Sequence, residues 1–198
     1  MKRPIITIAG SPGSGKSSTA KAVASGLGFQ HFSSGDLFRQ LAAERGESIE
    51  AMNISAEIQQ DIDRKVDHLL QEKYRSEDKL VIDSRMAWQW MPQSFKVFLV
   101  LDRHTAAARI FNNLRDEGRQ SESAASVEEV RASIDRRFAS EQKRYHALYG
   151  VNPTEPLNFD LVINTKYNGL PTVTAMVLAA YRAWRTSADS CSRAEADP

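Results

Sequence analysis

Apolar residues fall into two patterns along this chain: short, nearly continuous runs, and longer stretches in which they recur every three or four positions. The first pattern predicts strands at "IITIA" (5–9), "KLVIDS" (79–84), "FKVFLVLD" (95–102) and "DLVINT" (160–165), with a briefer one at "FQHFSS" (29–34). Runs with so few polar positions suit parallel strands covered by helices on both faces. The second pattern predicts helices at "KSSTAKAVASGLG", stopped by Gly26 and Gly28, and at "GDLFRQLAAERG", closed by Gly46. Residues 53 to 75 read as one helix with Ile54, Ile58, Ile62, Val66 and Leu69 as its core-facing stripe. Ser126 and Glu129 form a capping-box pattern that opens a last long helix, to about Tyr149. Five strands alternating with helices predict a doubly wound α/β sheet whose ligands lie beyond the carboxyl ends of the strands.

Length and composition narrow this picture. With 198 residues and 41% hydrophobic content, a single domain over residues 1–186 is expected. The polar stretch 187–198 has little to bury and is expected to be a disordered tail. A net charge of +1 gives no overall basic surface for nucleic acid, so any basic site must be local. The one cysteine, Cys191, excludes a disulfide framework, and no run is long enough to span a membrane. A cytoplasmic protein is the expectation; nothing in the sequence speaks to protein partners.

The first strand leads into the chain's clearest chemical motif. Gly10, Gly15, Lys16 and Ser17 fit G-x-x-x-x-G-K-[ST], with strand before and helix after. In such a phosphate loop, formed here by Gly10, Ser11, Pro12, Gly13, Ser14, Gly15, Lys16, Ser17 and Ser18, backbone N–H groups surround phosphate oxygens. The lysine reaches the β/γ-phosphates and the hydroxyl of Ser17 holds Mg²⁺. Asp83, ending the third strand, stands where such proteins keep a metal-side acid.

Cations outside the loop point to a second anion, because the planar fork of arginine binds two phosphate oxygens at once. Arg39 follows the second strand, Arg85 the third, and Arg109 lies on the helix after the fourth. On the helix opened by Ser126, placement at 100° intervals puts Val127, Val130, Ile134, Phe138, Tyr145 and Leu148 on one face. Arg137 and Arg144 then line its flank, with Glu141 between them. Spacing alone fits a substrate-facing flank and a solvated ion-pair surface equally well. Arg115 and Arg119 flank "DEG" in a polar segment, 115–126, that reads as a small lid able to exclude water and neutralise transferred charge. Trp88 and Trp90 read as packing residues, and the four histidines show no metal-ligand spacing.

With "ITIAGSPGSGKSSTAKAVASGLGF", "SSGDLFRQLAAERG", "VIDSR", "EQKRYHALYG" and "FDLVINT" in place, the chain resembles the nucleoside monophosphate kinases, and among them the archaeal-type cytidylate kinases, over residues 3 to 182. The resemblance implies a P-loop NTPase fold with strand order 2-3-1-4-5, a helical acceptor segment at about 34–75, and transfer of a phosphoryl group from ATP to CMP or dCMP with Mg²⁺. It implies that Ser34, Asp36 and Arg39 line the monophosphate pocket and that Arg85 reaches the acceptor. It also implies that Arg109 binds phosphate at the base of the lid, that Arg137 and Arg144 face the acceptor, and that Glu141 lies near its ribose. The chain departs from the family pattern at Lys16, often threonine in the archaeal group, at "DSR", at "MAWQWM" and at Asn152. Base specificity therefore stays open, as do a kinase for AMP, UMP or a non-nucleotide alcohol and a slowly hydrolysing nucleotide switch. No N-K-x-D guanine-reading motif is present for a switch of the GTPase type.

Overall fold

A computed structural model describes residues 3–59, 61–116 and 126–194. Five parallel strands form one sheet: β1 (Ile5–Gly10), β2 (Gln30–Ser33), β3 (Leu80–Asp83), β4 (Phe95–Val100) and β5 (Leu161–Asn164), ordered 2-3-1-4-5. The register sets Ile8 beside Asp83 and Gly10 beside Leu99, so the carboxyl ends of β1, β3 and β4 open at one edge.

Alternation along β1 explains the two layers. Ile6 and Ile8 pack with Val23 of helix α1 (Lys16–Leu27) and with Val173 and Val177 of α8 (Leu170–Ala194). Ile5 packs on the other face with α2 (Ser34–Arg45), α3 (Ile49–Ile58), α4 (Asp61–Ser76) and α5 (Ala87–Trp90), through Leu41, Met52, Ile62, Leu70 and Ala87. Two further helices, α6 (Arg103–Asp116) and α7 (Val127–Tyr149), pack on each other through Ala106, Ala107, Val130 and Ile134. Ser126 caps α7 by accepting from the Glu129 amide at 3.2 Å. The rest of the expected lid, including Arg119, lies outside the described residues.

Two sequence expectations change. Residues 53 to 75 are not one helix: Gln59 leaves helical geometry (φ −108°, ψ 90°), which resets the helical phase. Ile54 and Ile58 are consequently 63% and 79% exposed, Leu69 is half-buried, and α3 and α4 turn in Met52, Ala56, Ile62, Val66 and Leu70 instead. The C-terminal segment also differs, since α8 continues through residues 187–194 to Ala194. No glycine or proline occurs between Thr172 and Asp197 to end it, and the Thr186 and Ser187 hydroxyls bond carbonyls three residues back at 2.9 Å.

Candidate active site

The phosphate loop is shaped by what its glycines permit. A Cβ on Gly10 would stand 2.7 Å from the Leu99 carbonyl oxygen and 2.9 Å from Ser14 Oγ. Gly15, the N-cap of α1, is left-handed at φ 82° and offers no side-chain acceptor to the helix's first amides. The loop closes through Ser11 N donating to Leu99 O at 3.0 Å and Ser14 N donating to Ser11 O at 3.2 Å. The positive end of α1 therefore faces outward with amides suited to an anion.

Lys16 opens α1 and Asp83 closes β3, and the two form an ion pair beneath the loop. Asp83 is fully buried, and its Oδ2 has no hydrogen-bond partner among the described residues. Ser17 and Ser18 are exposed at the first turn of α1. Burial lowers the Lys16 ammonium to about 7, with Arg85, Arg137 and Arg39 pushing the same way and Glu141 opposing.

The arginines beyond the loop fall into groups that their spacing does not reveal. Glu141 Oε1 accepts from Arg85 Nη1, 56 residues away, and from Arg137 Nε at 3.0 Å. The Arg85 carbonyl in turn accepts from Trp88 Nε1 at 2.9 Å, while the Trp88 ring packs on Phe159 at 5.6 Å; packing is thus the role the structure gives Trp88. A cleft lined by Gly10, Pro12, Arg85, Phe138, Glu141 and Thr154 runs between the phosphate loop and α7. Ser33 Oγ caps α2 by accepting from the Asp36 amide at 3.3 Å, and Ser34 is the helix's first residue. Arg39 pairs with Asp36 on the exposed side of α2.

Two of the expected site arginines hold bonds to other parts of the protein. Arg109 Nη2 donates to the carbonyls of Thr165 at 2.8 Å and Lys166 at 3.2 Å, tying α6 to the turn after β5. Arg144 is buried in the seam between α4 and α7 and donates to Asp63 Oδ2 at 2.8 Å. The second half of α7 thus turns Glu141 and Arg144 inward, where the apolar pattern puts only their neighbours. Arg115 belongs to α6, and its side chain is outside the described set.

The residues that sequence reasoning missed are acidic. Asp63 and Asp67 lie one turn apart on the buried face of α4, among Ile62, Val66 and Leu70. Burial raises both carboxyls, Asp67 to about 6 against the hydrogen bond it accepts from the Tyr149 hydroxyl. Their signal was the i, i+4 repeat of carboxylates beside an apolar stripe, which reads equally well as an exposed edge. Among the described residues, no cluster of three or more His, Cys, Asp or Glu side chains could hold a metal.

Comparison with known proteins bears on this geometry. The profile described as the cytidylate kinase-like family matches residues 5–167. The chain is 34% identical to the cytidylate kinase of Halobacterium salinarum over 93% of both chains. It is equally similar, at 34%, to that of Pyrococcus horikoshii, over 89% of this chain and 87% of the relative. Among solved structures, a gluconokinase from Sinorhizobium meliloti superposes over 97% of this chain and 99% of its own, with a TM-score of 0.63 at 15% identity. A shikimate kinase from Acinetobacter baumannii does so over 89% and 91%, with a TM-score of 0.53 at 16% identity. At those identities the structures speak for the fold: a phosphate-loop kinase sheet.

Proposed function

Because this chain belongs to the cytidylate kinase-like family, we propose that it transfers the γ-phosphoryl group of ATP to CMP or dCMP, giving ADP and the nucleoside diphosphate. The observation that supports the reading is one cleft that joins the phosphate loop to a second cationic group. Gly10, Ser11 and Pro12 line it together with Arg85 and Glu141, Glu141 also pairs with Arg137, and Lys16 lies close enough for Arg85 and Arg137 to act on its charge. One anion at the loop and one at the second group leaves two phosphates facing each other, which is what a phosphate acceptor requires and a plain hydrolase does not.

No protein nucleophile is needed. An oxygen of the acceptor phosphate attacks the γ-phosphorus in line, the bond from that phosphorus to the β-bridging oxygen breaks, and ADP leaves with the electron pair. Lys16 and the backbone N–H groups of the loop and the first turn of α1, apart from those of Ser11 and Ser14, which already donate to carbonyls, hold the donor phosphates, with Lys16 meeting charge that spreads in the transition state. Ser34, Asp36, Arg39, Arg85, Arg137, Glu141 and Arg144 bind the acceptor, and Arg109, Arg115 and Arg119 bring positive charge from the lid side. The partnerless, buried Asp83 Oδ2 and the exposed Ser17 hydroxyl are hard oxygen donors and fit Mg²⁺. When bound, that ion neutralises phosphate charge. No described helix is long and apolar enough to cross a membrane; our reading is of a cytoplasmic enzyme whose substrates are free nucleotides.

The deciding experiment is ADP release from ATP with CMP, dCMP, UMP, AMP and a sugar alcohol as acceptors. Fastest transfer to CMP or dCMP is expected. Fastest transfer to another acceptor, or tight nucleotide binding with no transfer, would overturn the assignment.

A further inference from the structure

The seam between α4 and α7 is built from polar groups at a depth where apolar ones would pack better. Asp63 and Arg144 are 81 residues apart in sequence, with side chains only 7% and 5% exposed, and Asp63 Oδ2 accepts from Arg144 Nε at 2.8 Å. Ser140 Oγ, one turn earlier on α7, accepts from Arg144 Nη1 at 2.7 Å. Two of the three guanidinium nitrogens are therefore held by acceptors on two different helices. Below this pair, Asp67 accepts from the Tyr149 hydroxyl, whose ring meets Trp90 edge-on at 4.8 Å.

Such a pair is a poor way to gain stability. Burying a carboxylate and a guanidinium costs desolvation that their attraction scarcely recovers, and Ile62 and Val66 show that the site accepts apolar side chains. It does fix a long side chain with many rotamers, which a free arginine would have to order whenever it meets an anion. Arg144 lies one turn beyond Glu141 on the buried face of α7, and Glu141 lines the cleft, so the Asp63 bond ties α4 to the part of α7 that borders the cleft.

We propose that Asp63 is a positioning residue for acceptor binding: with Ser140 it holds the Arg144 guanidinium in place before the nucleoside monophosphate enters. The inference rests on the reading that Arg144 faces the acceptor. Asp63 itself touches no substrate; it acts on acceptor affinity by sparing Arg144 the loss of rotamer freedom on binding.

Steady-state kinetics with ATP and CMP on the full chain test it, with wild type, D63N, D63E and S140A compared and melting temperature recorded for each. For D63N the KM for CMP should rise about tenfold or more while the KM for ATP stays within about twofold and kcat within about threefold. S140A, which keeps the buried ion pair, should raise the KM for CMP by about threefold, and D63E should recover part of the D63N loss. A KM for CMP within about twofold of wild type in both D63N and S140A would overturn the proposal. So would parallel rises in both KM values that follow a lowered melting temperature and are not relieved in D63E. If D63N does not fold, S140A and D63E decide. Wild-type chain that transfers to no nucleoside monophosphate would overturn the functional reading beneath the proposal, and the proposal with it; transfer with unaltered variants overturns the proposal alone.

Discussion

Lys16 and Asp83 meet although 67 residues separate them, because β1 and β3 are parallel neighbours and both end at the same edge of the sheet. The pair joins the first residue of α1 to the last residue of β3, and it leaves one Asp83 oxygen without a partner among the described residues.

Replacing Lys16 by Met keeps the length of the stem and removes the charge that meets the transferring phosphoryl group. We expect kcat to fall by about 10²- to 10³-fold, the range for deleting one electrostatic stabiliser. The fold should survive with a lowered melting temperature, because the variant leaves the buried Asp83 carboxylate without its counter-charge; thermal unfolding followed by circular dichroism and kcat for CMP phosphorylation check both halves.

Nucleotide binding should take up protons. Burial and the neighbouring guanidiniums lower Lys16 to about 7, against the pull of its ion pair with Asp83, so its charge weakens as pH rises through that range, and a polyphosphate laid against it favours the charged form. ATP titrations by calorimetry at pH 8, in buffers of different ionisation enthalpy, should report net uptake that falls towards zero at pH 6. In Lys16→Met that uptake should vanish.

Asp67 makes stability depend on pH in an unusual direction. Its carboxyl is raised to about 6, mainly by burial, from an ordinary 3.8. Between those values the folded state holds a proton that the unfolded state has lost, so stability falls as pH rises from about 4 to about 6 and the penalty stays constant above that. A shift of this size corresponds to something on the order of 3 kcal/mol. Asp67→Asn keeps an acceptor for the Tyr149 hydroxyl and abolishes the titration. Urea denaturation should show the variant gaining on wild type as pH rises from 4 to 6, with a level difference from 6 to 8.

How much of this was open to sequence reasoning depends on whether each feature is local. The phosphate loop was legible because its requirement is a backbone one, met by Gly10 and Gly15 within a few residues of Lys16. The central strands β1 and β3 were legible because burial along their whole length leaves them few polar positions. The helix from residue 53 was misread because a single break at Gln59 shifts the phase and carries Ile54 and Ile58 to the surface. The couplings Glu141 to Arg85, Asp63 to Arg144 and Asp67 to Tyr149 span 56 to 82 residues. No spacing rule within one helix could select them, and the bland ion-pair reading of α7 had equal standing until the sheet brought α4 and β3 against it.

Glu141 offers the sharpest test of the cleft itself. Both of its hydrogen bonds, from Arg85 and Arg137, fall on Oε1, and its side chain is only 5% exposed. In the proposed function Oε2 is the oxygen that would accept from a hydroxyl of the acceptor's ribose, while Oε1 keeps two guanidiniums from repelling each other. Glu141→Gln retains the shape and removes the charge. The two arginines then stand beside Lys16 with no counter-charge, and the ribose loses a charged acceptor. A charged hydrogen bond contributes about 1.5 to 3 kcal/mol, so the KM for CMP should rise by roughly ten- to a hundredfold. The KM for ATP, whose phosphates the loop holds in this reading, should change by less than about threefold. Steady-state kinetics over both substrates check the split, and equal rises in the two KM values would show that Glu141 serves the architecture of the cleft and not the acceptor.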